Sequence, residues 1–196
     1  MKSPGPGLWI TGPSRSGTSM VAGLFARHGV FFGDTVPGDE HNPHGYYEHP
    51  ELIRRIDMGT LANWPERFWE VARKEGYEDG KPWALKRGPQ AWPWIRLMFP
   101  KIIIVCKRPK EQVLASRLRR WPGKKGRHGD MWRQTRRSLA GVIDQAACPV
   151  ITLHTDQIIE GNYQRLREAF KAFGLAFDPA IAAAWIDPTI WRRGEK

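Results

Sequence analysis

Apolar positions along this chain fall into two recurring patterns. Residues 8–11, 83–85, 102–105 and 150–153 form short apolar runs of strand length, and the third is entirely β-branched. Runs with no alternating polar position are what strands buried on both faces show. Between them, apolar residues recur at helical spacing: Met20, Val21, Leu24 and Phe25, closed by Gly29; Leu52, Ile53, Ile56 and Leu61 within 51–64; then Phe68, Trp69 and Val71. Residues 92–99 predict a short helix. Residues 130–147 predict a long one, with Asp130 as cap and Trp132, Leu139, Val142 and Ile143 on its apolar side, and 163–173 predict another stopped by Gly174. Val30-Phe31-Phe32 adds a short strand. Strands alternating with helices predict an α/β fold of three layers, a central, mainly parallel sheet flanked by helices, with ligands at the strands' carboxyl ends. The 196 residues suit one domain spanning 1–196.

The joint between the first strand and the first helix carries the most concentrated chemistry. Gly12-Pro13-Ser14-Arg15-Ser16-Gly17-Thr18-Ser19 brings glycines, hydroxyls, a cation and the positive end of a helix dipole to one point. Such a point suits a phosphate. A triphosphate loop of the form G-x-x-x-x-G-K-[ST] carries lysine after its second glycine, reaching the β/γ-phosphates. Here Thr18 stands in that place and Arg15 is the nearest cation, so the pocket favours an anion while the ATP-and-magnesium pattern is broken. Two further strand ends are cationic: Lys86 after the 83–85 run, and Lys107-Arg108 after 102–105, followed by Pro109 at the first turn of a helix that carries Ser116. Arg15, Lys86 and Arg108 after three different strands point to one shared anion site, where guanidinium groups fork onto phosphate oxygens.

Residues 33–50 are rich in turn formers and hold the candidate bases His41, His44, Glu48 and His49; loops of that length inside a compact fold carry function or move. The basic run 117–129, broken by glycines, reads as a solvated loop, an arm over an acidic substrate or a patch for a nucleic-acid backbone. Lys+Arg of 31 against Asp+Glu of 20 gives a formal net charge of +11, which favours anionic partners without choosing among them. Two cysteines support no disulfide framework, and no metal-ligand spacing is present. No apolar run approaches membrane-spanning length and residues 1–7 do not read as a signal peptide, so the expected location is cytoplasmic. The ten tryptophans are first of all core material, with a stacking platform for a sugar or aromatic ring as a further use.

Arg15-Ser16-Gly17-Thr18-Ser19 resembles the 5′-phosphosulfate loop of sulfotransferases that use 3′-phosphoadenosine 5′-phosphosulfate (PAPS). Arg108 and Ser116 are similar to that family's 3′-phosphate pair, an arginine at a strand end and a serine on the following helix. Asn42-Pro43-His44-Gly45-Tyr46-Tyr47-Glu48 matches a motif of bacterial and phage sulfotransferase-like proteins; Lys86 with Pro89 is a partial match to a lysine and proline turn, and Arg192-Arg193-Gly194 is similar to a C-terminal basic segment of cytosolic members. The resemblance implies that Gly12, Ser14, Arg15, Ser16, Gly17, Thr18 and Ser19 cradle the phosphosulfate of PAPS. It also implies that Arg108 and Ser116, with Arg192 and Arg193, hold the 3′-phosphate, and that Arg15 and Lys86 offset charge on the leaving oxygen. Glu48 is the implied base, with His49, His44 and His41 next. Neither metal nor covalent intermediate is implied, and the acceptor is a small molecule or carbohydrate, acidic ones included; nucleic acid and membrane are not expected partners. Two other readings share parts of the pattern. A magnesium-dependent P-loop kinase has this fold class but lacks its lysine at Thr18 and an aspartate where Lys107-Arg108 end the strand. A non-catalytic nucleic-acid-binding module uses the charge and leaves the glycine loop without a role.

Overall fold

The computed structural model describes residues 4–186, the side chains of 124–126 excepted. Arg192 and Arg193 lie outside the described residues. Four strands, β1 (Gly7–Thr11), β2 (Trp83–Lys86), β3 (Ile102–Lys107) and β4 (Val150–His154), form one sheet in the order β2-β1-β3-β4. Every pairing is parallel, with Trp9 opposite Leu85 on one side and Ile103 on the other. The chain is α/β, and this parallel sheet is flanked by helices on both faces.

Alternate strand residues divide the core. Leu8, Ile10, Ile102, Ile104 and Cys106 face α1 (Thr18–Arg27), α8 (Gln164–Phe173) and α9 (Pro179–Trp185). Trp9, Leu85, Ile103 and Val105 face the opposite layer, built from α2 (Pro50–Asp57), α3 (Trp64–Lys74), α4 (Trp92–Ile95) and α6 (His128–Gln145). Both faces are dry, which is why the strands read as unbroken apolar runs. The remaining helices are α5 (Lys110–Arg120), directly after β3, and α7 (Thr155–Ile159), directly after β4.

Several expectations are corrected. Val30-Phe31-Phe32 is not a strand: Phe31 makes a single bridge to Trp83 on the outer edge of β2, and Gly33 at φ 71° turns the chain away. The helix expected over 51–64 ends at Asp57; Gly59 and Asn63 take left-handed backbone, and Leu61 is left exposed. Asp130 does not cap α6, which starts two residues earlier at His128; it pairs with Arg133 instead. Ile143 on α6 is exposed, while Leu139 and Val142 carry the packing. Residues 117–120 belong to α5, and 122–127 form a 3-10 turn leading into α6, so the basic run is largely helical.

The order of the strands places the site. From β1 the chain crosses to β2 on one side and then returns past β1 to β3 on the other, so connections diverge at the β1/β3 boundary. In open parallel sheets the crevice at the strands' carboxyl ends opens at that point.

Candidate active site

The glycine loop occupies this crevice. Gly12 leaves β1 so close to β3 that a Cβ there would stand 2.5 Å from the carbonyl oxygen of Cys106, which only glycine permits. Gly17 caps α1 at φ 86°, with no side chain bonded to the helix end and no acidic residue in the first turn. The first N–H groups of α1 have no carbonyl within the helix to bond, and the dipole leaves positive charge at this end. Thr155, at the start of α7, ties the loop down: its hydroxyl lies 2.8 Å from the Ser16 carbonyl oxygen and 3.1 Å from that of Lys107.

A cavity of about 840 Å³ opens over the loop. Gly12, Ser14, Arg15, Gly17, Thr18, Ser19, Glu48, Lys86, Arg108 and Ser116 all line it. The Arg15 Nε donates to Ser116 Oγ at 2.9 Å, joining the loop to α5 across the cavity floor, and Arg15 also reaches the His41 carbonyl oxygen at 3.4 Å. Burial lowers the Arg15 pKa; Tyr46 works against this, and the neighbouring Arg120, Arg108 and Arg119 push it further down. Arg108 Nε bonds Gln112 Oε1 at 2.7 Å, one helical turn on. Ser16 does not line the cavity: its N–H is committed to the Pro13 carbonyl oxygen, and its hydroxyl lies buried beneath Gly12.

The carboxylate and lysine form a cluster. Lys86 Nζ bonds Glu48 Oε1 at 2.8 Å, the Tyr46 carbonyl oxygen at 2.8 Å and Ser19 Oγ at 3.2 Å. Arg87 grips the other Glu48 oxygen. Burial alone would raise the Glu48 pKa, but Lys86 and Arg87 outweigh it and hold the carboxyl below its ordinary range. Burial lowers the Lys86 pKa, and Glu48 draws it back up. Lys86 and Arg87 thus favour the carboxylate form of Glu48, and in this arrangement it is a weak base.

The histidines separate. His49 does not line the cavity; it is buried, accepts from the Glu51 N–H as cap of α2 and lies 2.9 Å from Glu75. Its position next to Glu48 in sequence does not bring it to the site, because the extended backbone there turns successive side chains to opposite sides. His44 packs on Trp185 instead. His41 does line the cavity, its ring 3.3 Å from Glu40.

Side chains from the 117–129 basic run and from the 39–46 stretch complete the wall. Arg117 is only 1% exposed and donates to the carbonyl oxygens of Ser14 (3.3 Å) and His128 (3.4 Å); among the described residues neither it nor Arg15 has an ion-pair partner. Arg120 pairs with Asp39 at 2.7 Å, and Tyr46 Oη donates to the same carboxylate at 2.8 Å, pinning the 39–46 stretch over α5. Burial and the Asp39 bond push the Tyr46 pKa up to about 12. Cys106 is buried, and burial pushes its thiol pKa up, so it is inert packing. Among the described residues no group of three His, Cys, Asp or Glu side chains is placed to hold a metal ion, and no helix is long and apolar enough to cross a membrane.

A four-stranded parallel sheet with a glycine loop leading into the first helix defines a P-loop-like α/β fold. Among solved structures the chain is similar to the sulfotransferase domain of the Synechococcus PCC 7002 olefin synthase, with 15% identity and a TM-score of 0.64 over 98% of this chain and 89% of that one. A protein from Thermus thermophilus matches at 13% identity and a TM-score of 0.46, over 87% of this chain and 96% of that one. No protein-family model and no curated protein matches the sequence. The fold is thus sulfotransferase-like.

Proposed function

We propose that this protein is a PAPS-dependent sulfotransferase, moving a sulfuryl group to a hydroxyl or amine and releasing adenosine 3′,5′-bisphosphate. The observation that carries the reading is the Arg15–Ser116 bond, because it joins the glycine loop to the helix after β3 within a single cavity. A phosphosulfate at the loop and a 3′-phosphate at Arg108 and Ser116 would then lie at opposite ends of one nucleotide. The donor set fits such a ligand: open N–H groups at the start of α1, the hydroxyl of Thr18, and guanidinium groups that keep their charge. When bound, PAPS supplies an activated sulfur whose leaving group is a phosphate oxygen.

The chain's own residues supply position and charge. Arg15 and Lys86 stabilise negative charge developing on the bridging oxygen. Glu48 takes the acceptor's proton while the acceptor oxygen bonds to sulfur and the bond from sulfur to the bridging oxygen breaks, its electron pair staying on the phosphate. Movement of Lys86 towards that oxygen weakens its hold on Glu48, so the carboxylate gains basicity as it is needed. His41 is the second candidate base, in place of His49.

Calorimetric titration with adenosine 3′,5′-bisphosphate, beside ATP with and without magnesium, tests the reading. Micromolar, metal-independent binding of the bisphosphate, weakened at least tenfold in Arg108→Ala, is the expected result. Magnesium-dependent ATP binding with no response to the bisphosphate would instead assign a kinase.

A further inference from the structure

α6 presents two faces to the molecule. Leu139 and Val142 enter the core, whereas Met131, Gln134, Thr135 and Ser138, at positions i, i+3, i+4 and i+7, line the cavity as one stripe. Trp121, at the end of α5, lines it too. The stripe is chemically selective. Thr135 Oγ1 donates to the Met131 carbonyl oxygen at 2.7 Å and Ser138 Oγ to that of Gln134 at 3.2 Å, so both hydroxyl protons are committed within the helix. What remains for a ligand is lone pairs, together with the Gln134 amide, which both donates and accepts. A ligand seated here must bring its own O–H or N–H donors.

Charge narrows the class. Among the described residues seven Lys and Arg side chains line the cavity, with Glu40 and Glu48 as its carboxylates, and Asp39 pairs with Arg120. Seven cations less these three carboxylates leave a surplus of four positive charges. PAPS brings roughly four negative charges, about two of them on its 3′-phosphate. Little surplus remains for an anionic acceptor, and the polar stripe does not suit a purely aromatic one.

We propose that Met131, Gln134, Thr135 and Ser138, with Trp121 as the stacking surface, form the acceptor seat, and that it takes an uncharged, hydroxyl-rich ring, a neutral saccharide. The Arg120 guanidinium lies 6.0 Å from the Trp121 ring centroid on one face; the other face takes the apolar side of a sugar ring, while the stripe accepts from the hydroxyls along its edge. This inference rests on the sulfotransferase reading for its chemistry and on the α6 stripe for its selectivity.

Ligand-detected NMR with the full chain tests it, using cellobiose, lactose and diacetylchitobiose as neutral probes, a uronic-acid disaccharide as the charged probe and 2-naphthol as the aromatic one. At least one neutral disaccharide is expected to bind, and to bind at least tenfold more weakly in Trp121→Ala and in Gln134→Leu, with bisphosphate affinity unchanged in both variants. Binding of the charged or aromatic probe in preference, no saccharide binding, or saccharide binding untouched by either variant would overturn the seat. Stripe-dependent saccharide binding without bisphosphate binding would leave the seat standing and overturn the sulfotransferase reading. Bisphosphate binding without saccharide binding would do the reverse.

Discussion

Two groups of cations share this cavity, and only one of them is balanced. Lys86 and Arg87 close on Glu48, and Arg120 on Asp39, so on that side each carboxylate is met by guanidinium or ammonium. Among the described residues, Arg15 and Arg117, on the side of the glycine loop, bond to a hydroxyl and to carbonyl oxygens only. A buried charge without a counter-charge is costly, and proteins keep one where a ligand completes it. Under the proposed function the difference separates two jobs: the unbalanced side takes the anionic nucleotide, and the balanced side holds a carboxylate that exchanges partners.

Substitutions break this contrast to different degrees. If the proposed reaction holds, Glu48→Gln is expected to have the largest effect, lowering sulfuryl transfer by about 10²–10⁴-fold in single-turnover assays, the usual worth of a general base. It should tighten bisphosphate binding at the same time, because Lys86 and Arg87 lose their counter-charge. Full turnover in this variant would move the base to His41. Arg15→Ala removes a charge-assisted contact, and a loss of roughly 10–100-fold in bisphosphate affinity by calorimetry is expected.

Arg117→Met sharpens the contrast by removing charge while keeping an unbranched apolar stem. Replacing a buried charge in this way is often neutral or stabilising, so the ligand-free melting temperature should hold or rise. The rise in melting temperature on adding saturating bisphosphate should shrink. A large fall in ligand-free stability would make Arg117 a structural tie between Ser14 and His128 instead.

Acid sharpens it from the other side. The Glu48 pKa in the folded protein lies below its ordinary 4.5, so the unfolded chain takes up the proton first as pH falls. The stability this group contributes is fully present above about pH 4.5 and is lost as pH falls through its folded value. Glu48→Gln should therefore show a shallower loss of stability in acid urea titrations than the natural chain. Tyr46→Phe is the smallest change, costing about 1 kcal/mol through the lost bond to Asp39. The raised Tyr46 pKa gives stability that is complete below pH 10 and lost as pH rises through about 12, and Tyr46→Phe should remove that alkaline limb.

How much of this was legible in the sequence varied with distance along the chain. The sheet was legible because a parallel strand buried on both faces leaves an uninterrupted apolar run, as in Ile102, Ile103, Ile104 and Val105. Strand and helix limits were less so. Phe31 reads as strand, yet only one bridge forms where Gly33 turns the backbone, and Leu61 reads as packed although the turns at Gly59 and Asn63 carry it into solvent. The glycine loop was legible because its glycines, hydroxyls and helix start are neighbours in sequence. Thr155 and Arg117 were not, since they meet that loop across 139 and 103 positions. Nor was the fate of His49, which sits beside Glu48 in the chain but turns inward to Glu75.

The sequence by itself determined an α/β chain with a glycine loop after its first strand and cations at three strand ends, because apolar periodicity and local turn chemistry are short-range properties. Only the tertiary structure decided that Lys86 acquires a carboxylate while Arg15, among the described residues, faces the cavity without one. That outcome depends on which side chains converge from α5, α6 and the 39–48 stretch, and electrostatic balance is settled by distances of a few ångströms that no spacing along the chain encodes.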